Sequence, residues 1–250
     1  MQKHLDVIHT LKDIVITTQK TRGLTNNYMN GNIVAQLLVY GQRRKMQDDF
    51  AQLFEHLKSI ELPITYTSQV AMLIEDSRFL NKRAFKSDSA EVFESYSHII
   101  ESWIDLNDKV ITEGFHTRDD KSYQRLKFMN NVLLPLSENI GKMRGMGSGI
   151  VARTYCKEDE VQKMKDFVSE IKRYTMVLKY HLAQNHYNAL SRNENLKIID
   201  KIESYSKLTE QKVIERSDIQ LVTNAYFDQG TFVISEIMKI YNVVSASLMH

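Results

Sequence analysis

The sequence predicts an all-α protein, folded as two consecutive antiparallel four-helix bundles of about eight helices, with long helices open to sharing between them. Three observations carry this. Only 2 prolines and 9 glycines punctuate 250 residues, far too little turn chemistry for most β-architectures. Apolar residues recur at steps of three and four almost throughout, the helical period. The stretches between them are short and polar. The natural division is residues 1–118 and 119–250, together one unit.

The elements follow in order. In the first helix Ile8, Leu11, Val15, Thr18, Arg22, Thr25 and Met29 form the seam of a packed helix. The second runs from about Ile33 to Lys58, with Leu37, Tyr40, Met46, Phe50, Leu53 and Leu57 expected inward, and Pro63 prevents its continuing. A third spans about Thr65 to Phe85, after which Ser87 or Ser89 is the expected cap of the fourth. That helix carries Val92, Phe93, Tyr96, Ile99, Ile100, Trp103, Leu106, Val110 and Ile111 and stops near Gly114. After the polar connection His116 to Ser122, the fifth covers about Tyr123 to Tyr155, and Pro135 should kink or split it. Glu158, Asp159 and Glu160 open the sixth, which reaches about Ala189, since acids favour a helix N-terminus. Ser191 to Asn195 reads as a turn, the seventh runs to about Arg216, and Ser217 or Asp218 is expected to cap the eighth.

Composition narrows the function. Lys plus Arg total 33 against 31 Asp plus Glu, so a net charge of +2 argues against a nucleic-acid coat binder. One cysteine, Cys156, rules out an internal disulfide or a cysteine-built zinc site. The most apolar runs, Asn32 to Gln42 and Leu62 to Ile74, fall short of the roughly 20 residues that cross a bilayer. With no signal peptide either, a cytoplasmic location is the expectation.

Arg22 and Arg144 are the informative residues. Arg22 lies on an apolar seam between Thr18 and Thr25, and Arg144 continues the seam of Leu126, Met129, Leu133, Leu136 and Ile140. Lys20-Thr21-Arg22-Gly23-Leu24 is echoed by Lys142-Met143-Arg144-Gly145-Met146. A guanidinium aimed into a bundle needs a stated partner, because a buried unpaired charge is expensive. Its planar, permanently charged fork matches a planar oxyanion. Four of the nine glycines fall within Gly141 to Gly149, at about 1 kcal/mol each in a helix interior. That cluster is either a helix break lining a site or a tight helix crossing. The plainer alternative pairs both arginines with structural acids such as Glu138 or Asp13.

Thr17 to Asn32 (TTQKTRGLTNNYMNGN) resembles the opening-helix motif of the nitrate- and nitrite-sensing (NIT) domain, and Ser137 to Gly149 (SENIGKMRGMGSG) is similar to that family's second Arg-Gly segment. The resemblance implies an eight-helix, two-bundle fold holding nitrate or nitrite between Arg22 and Arg144. Thr18, Thr25, Gly23 and Gly145 are the expected neighbours. Lys20-Thr21 stands where the family usually has a glutamate. NIT domains are normally fused to an output module, so a sensor of this length is expected to act through a signalling partner, with a homodimer open. Two facing cations should splay the helices until an anion draws them together.

Other constellations are weak. Only Glu113-Gly114-Phe115-His116 has di-iron spacing, and His181 and His186 are five apart, so neither a metal nor a cofactor is expected. Arg43-Arg44-Lys45 reads as a solvated face with Asp48 and Asp49 one turn on. No base, nucleophile and metal converge, so the expected function is non-enzymatic binding of a small oxyanion. The alternative is a helical protein–protein scaffold without a small ligand.

Overall fold

The computed structural model describes residues 2–116, 120–184, 190–216 and 218–248, and every regular element among them is helical. Helix α1 is Gln2–Met29, α2 Ala35–Leu57, α3 Ile64–Arg83 and α4 Ser89–Phe115. Helix α5, Asp120–Phe128, continues through the π-helical turn Met129–Leu133 into α6, Leu134–Arg153. Then come α7, Glu158–Ala183, α8, Arg192–Thr209, and α9, Thr223–Ala246. With α5 and α6 taken as one interrupted rod, these are the eight helices of the sequence reading.

Local chemistry sets the ends. α1 closes at Gly31, whose φ of 109° lets the chain reverse while Asn32 N–H donates to the Asn27 carbonyl (3.1 Å). Pro63 starts α3, because an extended proline suits the position before a helix. Asp88 caps α4 in place of the expected serines, its Oδ1 accepting from the N–H groups of Ala90 (2.8 Å) and Glu91 (3.1 Å). The interruption expected at Pro135 is the π turn Met129–Leu133, which divides α5 from α6. Pro135 itself falls in the first turn of α6, where a missing N–H costs little, and the wider π turn immediately precedes it. Ser191 is the N-cap of α8, with Glu194 completing a capping box, so most of the expected turn is helix. Asp218 does not cap α9, which opens at Thr223 after extended Val222; Ser217 lies outside the described residues.

Helices α1 to α4 form one half and α5 to α9 the other. α1 packs on α2, α4 and α6, and α6 packs in turn on α7 and α9. The α1–α6 contact therefore joins the halves. Trp103 and Phe50 stack at 6.0 Å in the fully buried first core. The inward face of α2 is Ala35, Val39, Met46, Phe50 and Leu53. Leu37 and Tyr40, expected inside, are 78% and 52% exposed. Leu37 precedes Met46 by two and a half helical turns, which puts it on the opposite side. No described helix is long and apolar enough to cross a membrane.

Candidate functional site

The Gly141 to Gly149 cluster is a tight crossing in an unbroken helix. A Cβ on Gly145 would lie 3.2 Å from the Gly23 Cα, and one on Gly23 would lie 2.8 Å from Phe227 Cε2. The two Arg-Gly segments thus meet backbone to backbone, with α9 behind them. Each glycine puts its own arginine beside this crossing.

The two arginines have opposite fates. Arg22, wholly buried, donates from Nη1 to Glu138 Oε1 (2.5 Å) and Ser97 Oγ (2.8 Å), and from Nη2 to Glu138 Oε2 (3.2 Å). Its guanidinium also sits over the Phe93 ring at 4.9 Å. Glu138 is buried as well, so the pair satisfies its own charge. This is the plainer reading, for this arginine alone.

Arg144 has no carboxylate. Nη1 donates to Thr231 Oγ1 (2.9 Å) and the guanidinium lies over Phe227 at 4.6 Å. Nε and Nη2, both buried, have no partner. These two N–H groups lie on one edge of the planar fork and point in parallel. Burial pushes the pKa of Arg144 down to about 10. Tyr205 works against that, Arg22 lowers it further, and Glu138 raises it. The other buried charges among the described residues are all paired: Asp49 with Lys45, Glu236 with Lys201 and Lys239, and Glu138 with Arg22. Among the described residues Arg144 alone is buried, charged and without a carboxylate partner.

Its surroundings are neutral and polar. The backbone of Gly230 on α9 lies against the side chain of Arg144, where a Cβ would come within 2.9 Å of the arginine Cβ. Tyr205 donates to the Tyr226 carbonyl (3.4 Å), and the Tyr226 hydroxyl lies 3.0 Å from Thr209 Oγ1. Burial raises the pKa of both phenols, that of Tyr226 to about 12, so both keep their protons as donors.

A family description, nitrate and nitrite sensing, matches residues 13–249. The chain belongs to the NIT family. The solved structure titled "Structure of the NasR transcription antiterminator" superposes on this NIT chain with a TM-score of 0.76 at 12% identity. The match covers 98% of this chain and 67% of that one, and at this identity it speaks for the fold. No curated protein sequence matches the chain.

Of the residues expected from sequence, Gly23 and Gly145 come together and Arg22 and Arg144 flank them. Thr18 is committed to the Ile14 carbonyl (2.7 Å). The buried Thr25 hydroxyl lies beside the Tyr96 phenol. Glu138 neutralises Arg22 where α1 and α6 touch. Sequence reasoning missed Thr231, Phe227, Tyr205 and Gly230 around Arg144. The one available signal was Gly230, a glycine in the interior of a helical stretch.

Proposed function

We propose that this NIT domain is a non-enzymatic sensor that binds nitrate or nitrite beside Arg144, with Arg22 the second cation of the site and Gly23, Gly145, Thr18 and Thr25 its frame. The observation that carries the reading is the unpaired, buried Nε–Nη2 edge of Arg144. Two parallel donors on a dry, uncompensated cation suit two oxygens of a small planar anion, and they are strong because no water screens them. Thr231 holds the guanidinium in plane while Phe227 backs its face. Arg22 acts through its charge, which disfavours Arg144 while the site is empty and favours an anion once it arrives. Family membership supports nitrate and nitrite over other monovalent anions.

Binding is tested by calorimetric titration of nitrate into wild type and Arg144→Met. Saturable heat in the wild type and none in the variant is the expected result; equal heats would end the reading. The signal passes to a protein partner, since α1, α6 and α9 meet at the site and a change at Arg144 alters how they pack. Residues 1–118 and 119–250 act as one unit through that junction. The exposed apolar run Ile33, Val34, Leu37 and Leu38 is where a partner or a second copy of the chain would attach.

A further inference from the structure

The basic run Arg43-Arg44-Lys45 does not behave as an ordinary solvated helix face. Lys45 pairs with Asp49 (2.8 Å), as expected, but Arg43 and Arg44 turn towards a groove between α2 and the end of α3. That groove encloses about 680 Å³, and Arg43, Arg44, Arg78, Lys82 and Lys86 line it without a single Asp or Glu. None of the five makes an ion pair among the described residues, although most other cations nearby do. In a chain whose net charge is only +2, five unneutralised cations in one concavity are a local field that attracts anions.

Two of the cations are held in place by neutral groups. The Arg43 guanidinium stacks over Phe85 at 4.5 Å, and its Nε and Nη2 are buried without a partner. Arg78 donates from Nε to Gln47 Oε1 (2.9 Å), which fixes the fork and leaves both terminal nitrogens free. Asn81, which also lines the groove, is locked by the Tyr96 hydroxyl donating to its Oδ1 (2.6 Å). Fixed forks lose little freedom when they bind, so the cost of gathering an anion here is already partly met. The groove lies on α2 and α3, whereas Arg144 is on α6, so it is separate from the nitrate site.

We infer that this groove binds a compact oligophosphate, three or so linked phosphates carrying several negative charges within the reach of five cations. A single monovalent anion would leave most of them unneutralised. The volume falls in the range of small-molecule sites, too short for an extended nucleic-acid track.

Tripolyphosphate, titrated calorimetrically into the whole chain, is the first probe, with ATP as a second arm and a mixed-sequence single-stranded oligonucleotide as a third. One saturable site for tripolyphosphate is expected, weakening steeply as sodium chloride rises. ATP tighter than tripolyphosphate would identify a nucleotide as the source, and equal affinities a plain oligophosphate. The variant Arg78→Gln/Lys82→Gln alters two exposed side chains and should weaken binding at least tenfold while the nitrate titration stays unchanged. Unaltered tripolyphosphate affinity in that variant would overturn the inference. So would no binding in the wild type, competition by nitrate, or binding confined to the oligonucleotide.

Discussion

Replacing Arg144 by methionine should leave the ligand-free protein about as stable as wild type or slightly more stable, an unusual outcome for a wholly buried long side chain. A guanidinium held at a pKa of about 10 against an ordinary 12.5 carries about 3 kcal/mol of unfavourable charge burial at neutral pH. Methionine of similar length relieves that. It gives up the hydrogen bond to Thr231, about 1.5 kcal/mol for a charged donor, and keeps an attractive contact with Phe227 through sulfur. The balance is a gain of about 1 kcal/mol. Arg22→Met is the control, because it strands Glu138 as a buried unpaired carboxylate and should cost about 3–5 kcal/mol. At about 2–4 °C per kcal/mol for a chain of this size, the two variants should melt roughly 8–24 °C apart. Urea denaturation with the slope monitored reads the same difference at room temperature. Equal destabilisation of 3 kcal/mol or more by both would refute the argument, since it would mean that Arg144 is as well satisfied in the fold as Arg22.

Further outcomes follow from the same structure. Gly147→Ala should cost about 1–3 kcal/mol, because its Cβ would run into the Tyr226 ring, whereas Gly41→Ala has nothing within 4 Å and should gain about 0.5–1 kcal/mol; urea midpoints check both. His9 is held below its ordinary pKa of 6.5 chiefly by burial and then by Lys12, with Asp13 and Asp6 opposing. The folded form is therefore reluctant to take a proton that the unfolded chain accepts. Stability should fall as pH drops through 6.5 and level off below the folded value, and His9→Gln should shrink that fall in Tm between pH 7 and 5.5. Burial, then Glu160, pushes the Cys156 thiol up to about 11, so disulfide-exchange labelling at pH 8 should run on the order of tenfold slower than with free cysteine, the scarcer thiolate being partly offset by its greater nucleophilicity. A rate near that of free cysteine would contradict it.

The sequence made the all-helical fold legible because that rests on period and punctuation, which are local. The glycine cluster posed a question, break or crossing, that only the partner could answer: Gly145 is explained by Gly23, more than a hundred residues away. The two arginines looked equivalent because their flanking motifs are. What separates them is Glu138, six residues before Arg144 in sequence yet bonded to Arg22 on another helix. No spacing rule reveals that choice, and none reveals that α9 brings Thr231 and Gly230 to the arginine left over. The misplacement of Leu37 and Tyr40 on α2 had a different cause. Apolar residues lie on two sides of that helix, and a seam traced from Ile33 picks the wrong one.

Charge counting at the helix crossing gives the proposed site its selectivity. Arg22, Glu138 and Arg144 are buried together with a net charge of +1, and the pKa of Arg144 responds to both of the others. One monovalent anion brings that centre to neutrality. Sulfate would carry it to −1 in surroundings that stabilise charge poorly, so it should be refused even though its oxygens could meet the same N–H edge. Glu138→Gln removes the negative charge while nearly preserving shape and raises the empty centre to +2. That variant should be less stable without ligand, should gain more from nitrate than wild type does, and should acquire a sulfate-dependent rise in Tm. Melting curves in sodium nitrate, sodium sulfate and sodium chloride at matched ionic strength separate these terms. A variant that still ignores sulfate would show that discrimination comes from the shape of the pocket, and the charge argument would then fail.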